Sequence, residues 1–304
     1  MIDVLQAGLC DLVVDQGRPG RGALGVPAGG AADPNALAAA NRLVGNDESQ
    51  AGLEITLSGP TLRFPAGGVV ALTGAEFKAT RSSGVAAGWN ETLVLGEGET
   101  LALEHAVTGC RCWLAVQGGI VERLIMGSRC TFFPAGFGGH QGRPLRVGDV
   151  LQGGATSHEV HLKRARCPTS SPENAPFRVI AGPQAGLFDD AGLAAFFSGE
   201  YQVGASSDRR GLRLAGPVVS HSCIELPSQG VLPGAIQVPP DGQPIILGWD
   251  GPVTGGYPVI AGVISADWPR LAQLRPGSTV QFVTIEHAAA RALAPAEWII
   301  EALA

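Results

Sequence analysis

Apolar positions along the chain mostly alternate with polar ones, or fall in short runs ended by glycine or proline. Leu53-Glu54-Ile55-Thr56-Leu57 alternates with period two and stops at Gly59-Pro60, the pattern of a half-buried strand. Thr92–Leu95 and Thr100–Leu103 are two such runs separated by Gly96-Glu97-Gly98-Glu99; this predicts a hairpin whose glycines supply the turn. Cys112–Val116 predicts a buried strand ended by Gly118-Gly119. One helix is well marked. Asp33 stands at the cap and Pro34 at the first helical position. Leu37, Ala40, Leu43 and Val44 form its apolar stripe, and Gly45 ends it.

The second half repeats the theme. Strands are predicted at Phe177–Ile180, Pro244–Leu247 and Val280–Ile285, with a short helix over Leu187–Phe197 that begins near Asp189-Asp190. Asp267 is expected to cap a helix over 267–274, and the Ala-rich stretch Glu286–Ala304 to be helical, restarting at Pro295. Between the halves, residues 166–176 hold three prolines among polar residues and read as a linker. The expected organisation is a β-barrel-like half over 1–165, the linker over 166–176, and a second barrel half over 177–304. A weak internal echo links Leu145–Gln152 to Leu274–Gln281: each is a glycine turn feeding a strand. Either two related halves or chance likeness between short hairpins accounts for it.

Composition narrows the function classes. At 304 residues, with 44 Gly, 22 Pro and 16% charged residues, the chain reads as many short strands joined by tight turns. Net charge is −6, and only Lys78 and Lys163 among the 21 cations are lysines. That balance and the lack of a basic run argue against nucleic acid. No apolar stretch reaches 18 residues, so no membrane span is expected. The N-terminus lacks the basic and apolar regions of a secretory signal, which points to the cytoplasm. Six cysteines are too sparse for a disulfide framework, and Cys110-Arg111-Cys112 has no second pair to complete a zinc site. His158 and His161 sit three apart on an expected strand end. Buried thiols and no metal are the expectation.

Familiar catalytic engines are missing: there is no P-loop, no Gly-x-Ser-x-Gly elbow, no His-Glu-x-x-His and no strand–helix rhythm of a dinucleotide fold. Four Gly/Pro-dense segments remain. Gly25–Pro34, containing Pro27, runs into a helix N-terminus that suits an anion unless Asp33 already fills it. Ser207–Pro217 carries Arg209, Arg210 and Arg213. On an alternating strand Arg209 and Arg213 share a face and suit a carboxylate or phosphate; a solvated edge strand is the plain alternative. Pro233–Pro244 places Gln237 and Gln243 around a Pro240-Asp241-Gly242 turn, where they either read an amide or are simply solvated. Asp250–Pro258 contains Thr254-Gly255-Gly256-Tyr257, whose adjacent glycines form either an oxyanion nest or an ordinary turn.

Taken in order, Gly25-Val26-Pro27 through Asn46, Leu53 to Phe64, Ser207-Asp208-Arg209, Pro233 to Pro244 and Thr254 to Pro258 resemble the biotin-dependent carboxyltransferase-like family, also called allophanate hydrolase subunit 2. The resemblance spans nearly the whole chain. It implies a mainly β fold of two cyclophilin-like β-barrel domains with a few short helices. It also implies the role of the C subunit in an ATP-dependent 5-oxoprolinase complex that hydrolyses 5-oxo-L-proline to L-glutamate. The partners would be a B subunit of the kinase-inhibitor family and an A subunit of the lactam-utilisation family, with ATP bound by the complex. The family also includes biotin-dependent carboxyltransferase modules that act on urea or a related amide, and a non-catalytic antagonist that binds a kinase-inhibitor protein. In the hydrolase reading Asp250 is a general base or orients a ligand, and Gln237 donates to the amide oxygen. Arg209 or Arg213 takes the substrate carboxylate, the Thr254-Gly255-Gly256 backbone forms the nest, and Gln243, Tyr257, Pro27 and Asp33 line the substrate. The chain departs from the family pattern at Gly29 and at Gly251-Pro252-Val253, where polar residues are usual, and at Val259, where a Lys is common.

Overall fold

The structure, a computed structural model, describes residues 1–155, 161–167, 175–222, 226–293 and 297–303. In chain order its first elements are β1 (Ile2–Gln6), β2 (Cys10–Val14), α1 (Pro34–Leu43), β3 (Gly52–Thr56), β4 (Thr61–Phe64), β5 (Gly68–Gly74) and β6 (Phe77–Arg81). There follow β7 (Thr92–Leu95), β8 (Glu99–Ala106), β9 (Arg111–Val116), β10 (Ile120–Val121), β11 (Val150–Gly153) and β12 (Lys163–Arg166). Then come β13 (Phe177–Ala181), α2 (Asp190–Ser198), β14 (Tyr201–Val203), β15 (Gly211–Ala215), β16 (Gln229–Gly230), β17 (Ala235–Gln237) and β18 (Ile245–Leu247). The last are β19 (Thr254–Gly255), β20 (Val259–Val263), α3 (Trp268–Ala272), β21 (Thr279–Val280), β22 (Phe282–Thr284), α4 (His287–Ala292) and β23 (Ile299–Ala302). The chain is mainly β with a few short helices. It divides into two compact units: Met1–Arg18 with Gly29–Pro168 and Glu297–Ala304, and Pro19–Ala28 with Thr169–Ala296.

The first unit stacks two antiparallel sheets, ordered β10-β11-β1-β4-β8-β6 and β2-β3-β9-β5-β7. Period-two alternation sends Leu53, Ile55, Leu72 and Leu114 of one sheet to meet Ile2, Val4, Leu62 and Leu103 of the other in a single core. The opposite face of the five-stranded sheet carries α1, whose Ala36 carbonyl accepts from Thr73 Oγ1 at 2.7 Å. Asp33 caps that helix as the sequence predicts, accepting from Asn35 N at 3.0 Å and Ala36 N at 3.1 Å. Glu54, fully buried on the helix-facing side of β3, accepts from Ala32 N at 2.7 Å and Trp113 Nε1 at 3.1 Å, and pairs with Arg111 at 3.5 Å.

The second unit is built on one eight-stranded sheet, ordered β21-β14-β15-β18-β17-β20-β13-β22. Its two edge strands, β21 and β22, are separated in sequence by Gln281 alone. Consecutive Cα atoms lie about 3.8 Å apart, so the sheet must curl until its edges nearly meet. That makes it barrel-like. Inside it Phe196 of α2 stacks on Phe282 at 4.5 Å between ring centroids, next to Tyr201.

The internal echo is structural. In the first unit Gly148 N donates to Val4 O and Val4 N to Asp149 O; in the second, Gly277 N donates to Val203 O and Val203 N to Ser278 O. Both glycines are left-handed, at φ 89° and 85°, which a turn at that point requires.

Three expectations are corrected. Thr92–Leu95 and Thr100–Leu103 do not form a hairpin: β7 pairs with β5, while β8 pairs with β4 and β6 in the other sheet. Gly98 N donates to Phe64 O and Gly96 N to Glu99 Oε2, so the glycines turn a corner between sheets. Asp267 does not cap its helix. Its carboxylate instead accepts from Arg178 N and the Arg178 guanidinium. Among the described residues the C-terminal stretch is helical over His287–Ala292 alone, and Ile299–Ala302 pairs with β12, as β-branched residues favour. Pro295 lies outside the described residues, as do His158, Cys223 and the linker centre, 168–174. None of the five described cysteines is in a disulfide. Among the described residues no group of three metal-binding side chains forms, and no helix is long and apolar enough to cross a membrane.

Asp11 is a carboxylate set against the apolar core. It is 1% exposed and shares a ladder row with Ile55 and Cys112. Burial raises its carboxyl to about 7, against a lowering bond from Gly8 N. Below about pH 4 folded and unfolded chains are both protonated there. Between about pH 4 and 7 the unfolded chain ionises while the folded one resists, so stability falls through that window. Asp11→Asn therefore has a thermal midpoint that gains on wild type between pH 4.5 and pH 8. The pH-dependent part is on the order of 4 kcal/mol, and parallel pH–Tm curves would refute it.

Candidate functional site

The polar groups singled out in the second half fall into two sets, one at an end of the eight-stranded sheet and one on its outer face. At the end, Gly248 N donates to Arg210 O and Asp250 N to Arg209 O, so the chain leaving β18 is zipped to the turn that opens β15. The side chains complete the pairing. Arg209 Nε donates to Asp250 Oδ2 at 2.7 Å and Arg209 Nη2 to Asp250 Oδ1 at 3.2 Å. Both residues are buried, at 8% and 4% exposure. The fork meets both carboxylate oxygens, the strongest geometry for such a pair. Gly248 allows the approach: a Cβ there would lie 2.2 Å from Arg209 O.

On the outer face, Arg213 and Gln237 both stand opposite Ile245 in the ladder. Directly opposed residues share a face, so cation and carboxamide point the same way, two strands (about 10 Å) apart. Arg213 is exposed and Gln237 only 4% exposed. Above Gln237 lies the ribbon of β16 and β19, in which Gln229 opposes Gly255. A Cβ on Gly255 would come within 2.6 Å of Gln237 Nε2, so the carboxamide occupies the space a side chain would need. Gln237 Nε2 donates to Tyr257 O at 3.4 Å, and Tyr257 itself is 45% exposed.

Several sequence expectations change. Gly255 and Gly256 form no nest, because neither has left-handed φ and Thr254–Gly255 runs as a strand, whose N–H groups alternate in direction. Arg209 and Arg213 do not share a strand face, because Asp208–Gly211 is a turn and β15 starts after it. Nor is β15 an edge strand, since β14 and β18 flank it. Gln243 stands away from Gln237: its Oε1 accepts from Gly216 N at 2.9 Å and its Nε2 donates to Gly216 O at 3.3 Å, which locks the far end of the β15–β18 pair. Asp33 belongs to the first unit, where it fills the helix N-terminus that an anion would need; burial raises its carboxyl to about 6, with the Glu54 charge adding to the effect. Pro27 lies buried in the second unit's segment Pro19–Ala28.

Sequence reading missed Gln184 and Gln229. Val259 N donates to Gln184 Oε1 at 3.1 Å, and Gln184 Nε2 donates to Gln229 Oε1 at 3.0 Å. No local motif marks either residue; only strand pairing brings them beside Gln237.

Comparison with known proteins settles the family. The family described as carboxyltransferase domain, subdomain A and B, matches residues 24–284. The chain belongs to the carboxyltransferase-domain family. Within it, the chain is 39% identical over 285 residues to the 5-oxoprolinase C subunit of Escherichia coli (strain K12), covering 93% of this chain and 91% of that protein. It is 35% identical to the 5-oxoprolinase C subunit of Haemophilus influenzae, covering 95% and 93%. Urea amidolyase of Saccharomyces cerevisiae is 32% identical, but the chain spans only 16% of its length. The crystal structure of the K. lactis urea amidolyase superposes with a TM-score of 0.88 at 32% identity, covering 95% of this chain and 19% of that one. The carboxyltransferase-like resemblance read from the motifs is thus correct, and the chain has the fold of that family.

Breaking one partner of a buried ion pair costs about 3–5 kcal/mol, whereas replacing both with apolar residues costs far less. Denaturant unfolding of Arg209→Met is expected to show a loss of that size. Arg209→Met with Asp250→Leu recovers most of it; additive losses would contradict the pairing.

Proposed function

We propose that this protein is the C subunit of an ATP-dependent 5-oxoprolinase complex, which hydrolyses 5-oxo-L-proline to L-glutamate together with a B subunit of the kinase-inhibitor family and an A subunit of the lactam-utilisation family. The observation that carries this reading is length-matched similarity. Two proteins named as the C subunit of 5-oxoprolinase are covered over 91% and 93% of their length. A lactam is an unreactive amide, so its carbonyl oxygen needs activation before water opens the ring. In this reading the complex supplies ATP, whose terminal phosphoryl group goes to that oxygen. ADP leaves; water then adds at the carbon and the ring C–N bond breaks to give γ-glutamyl phosphate, which a second water hydrolyses to glutamate and phosphate.

The residues of this chain bind and orient. Gln237 is neutral and partly unsatisfied, and it supplies a donor for the amide oxygen. Arg213, with no ion pair among the described residues, takes the substrate carboxylate in place of Arg209. Asp250 has both oxygens engaged by Arg209, so it acts as an orienter of the turn and not as a general base. Gly255 and the Tyr257 carbonyl lie against Gln237 on the outer face, and Thr254, the neighbour of Gly255 on β19, points the other way. The second reading is a carboxyltransferase component that acts on urea or a related amide, with biotin carried by another protein. It is favoured by the 0.88 TM-score to a urea amidolyase.

The test is turnover of 5-oxoproline with ATP by the purified complex. Gln237→Met is expected to lower kcat/KM about tenfold or more, the worth of a hydrogen bond to a reacting carbonyl. Arg213→Met raises KM for 5-oxoproline with little change in kcat. Gln243→Met leaves both constants within twofold. Absence of lactam turnover alongside transfer of the carboxyl group from carboxybiotin to urea would replace this reading with the second.

A further inference from the structure

The three glutamines around Gly255 are wired in one direction. Gln184 Oε1 is held by Val259 N–H, which leaves Gln184 only its Nε2 to offer to Gln229 Oε1. That bond in turn fixes Gln229 with its Nε2 outermost, and this Nε2 is buried without a partner. Gln229 opposes Gly255 in the ribbon, so its side chain shares the face toward which a Gly255 side chain would point. Gln237 Nε2 lies on that same face, 2.6 Å from where the missing Cβ would stand, and its one bond, to Tyr257 O, is long at 3.4 Å. Two carboxamide N–H groups therefore converge on one side of Gly255, and the described residues supply no good acceptor. An unsatisfied buried donor is costly unless something accepts from it.

We infer that Gln229, positioned by Gln184, is a second substrate-binding residue, which together with Gln237 holds the carbonyl oxygen of a neutral amide. This rests on the small-amide reading above and deepens it. The cluster is uncharged and presents two N–H donors with the Gln237 Oε1 acceptor beside them, which suits a carbonyl oxygen flanked by N–H. A carboxylate calls for a cation to offset its desolvation. Lactams and cyclic ureas share that carbonyl chemistry, so a probe of each kind separates the two sources.

The experiment titrates 2-pyrrolidinone, 2-imidazolidinone and acetate into the full 15N-labelled chain and follows the side-chain NH2 resonances. The two amides are expected to shift Gln229 and Gln237 saturably, and acetate to leave them unmoved. Gln229→Met raises Kd for the preferred amide about tenfold. Gln229→Glu keeps the acceptor for Gln184 and turns the outer donor into an acceptor; it abolishes binding. Gln184→Glu keeps the acceptor for Val259 but removes the donor to Gln229. It weakens binding alone and adds nothing in the Gln229→Met background, whereas a merely structural role would add. Preserved Gln243 and Gln237 resonances in each variant report an intact fold. The inference is overturned if Gln229 does not shift, if Gln229→Met binds within twofold of wild type, or if acetate competes. Amide binding that depends on Gln229 without any turnover of 5-oxoproline by the complex would instead overturn the oxoprolinase reading and leave this one standing.

Discussion

The second unit is governed by a covalent constraint: the edge strands of its eight-stranded sheet are one residue apart in sequence. A sheet so tethered has to curl, and curling buries one face around Phe196, Tyr201 and Phe282 while the other turns outward. Strands β15, β18 and β17 then lie side by side with Arg213, Ile245 and Gln237 in one row. The same closure leaves the loop from Leu247 to Val259 to return over the outer face, where it forms the ribbon with β16. The site is therefore a consequence of barrel closure, assembled from strands that are far apart in sequence.

Much of the fold was legible because local chemistry and tertiary packing agree. Asp33, Pro34 and the stripe from Leu37 to Leu43 define α1 from its own ten residues, and β3 and β9 follow from their alternation. Errors arose where a local signal was overruled at long range. Gly96–Glu99 has the chemistry of a hairpin turn, but Phe64 lies in the other sheet and claims Gly98 N. Asp267 has the position of a cap, yet Arg178, 89 residues away, offers a guanidinium that binds it more strongly than helix amides do. At the site, Arg209, Asp250, Gln237 and Gly255 were visible as residue types in unusual segments. Gln184 and Gln229 were not, because glutamine is ordinary at a surface and becomes informative only when its long-range hydrogen-bond partners are known.

The two polar sets divide their tasks according to charge. Arg209 engages both carboxylate oxygens of Asp250, so the contribution of the pair is to geometry: it fixes the turn on which the chain leaves β18 and crosses the outer face. A guanidinium already matched to a carboxylate has little to offer a neutral carbonyl. The glutamines are the reverse case. They are uncharged, so keeping a donor unsatisfied costs about 1–3 kcal/mol rather than the larger penalty of a bare buried charge. In the proposed site, a substrate oxygen that accepts from Gln229 and Gln237 returns that cost as binding free energy.

In the function proposed above, the same arrangement accommodates either a lactam or a urea. Both substrates present a carbonyl oxygen beside N–H, and a pair of carboxamide donors reads that feature without distinguishing them. Discrimination must come from what lies around the carbonyl. A lactam acid carries a carboxylate and urea does not, so a cation on the same face separates them. Arg213 stands about two strands from Gln237, within reach of an extended arginine across a substrate of that size. An enzyme for urea has no use for such a cation, and an exposed arginine in that row favours an acid as the ligand.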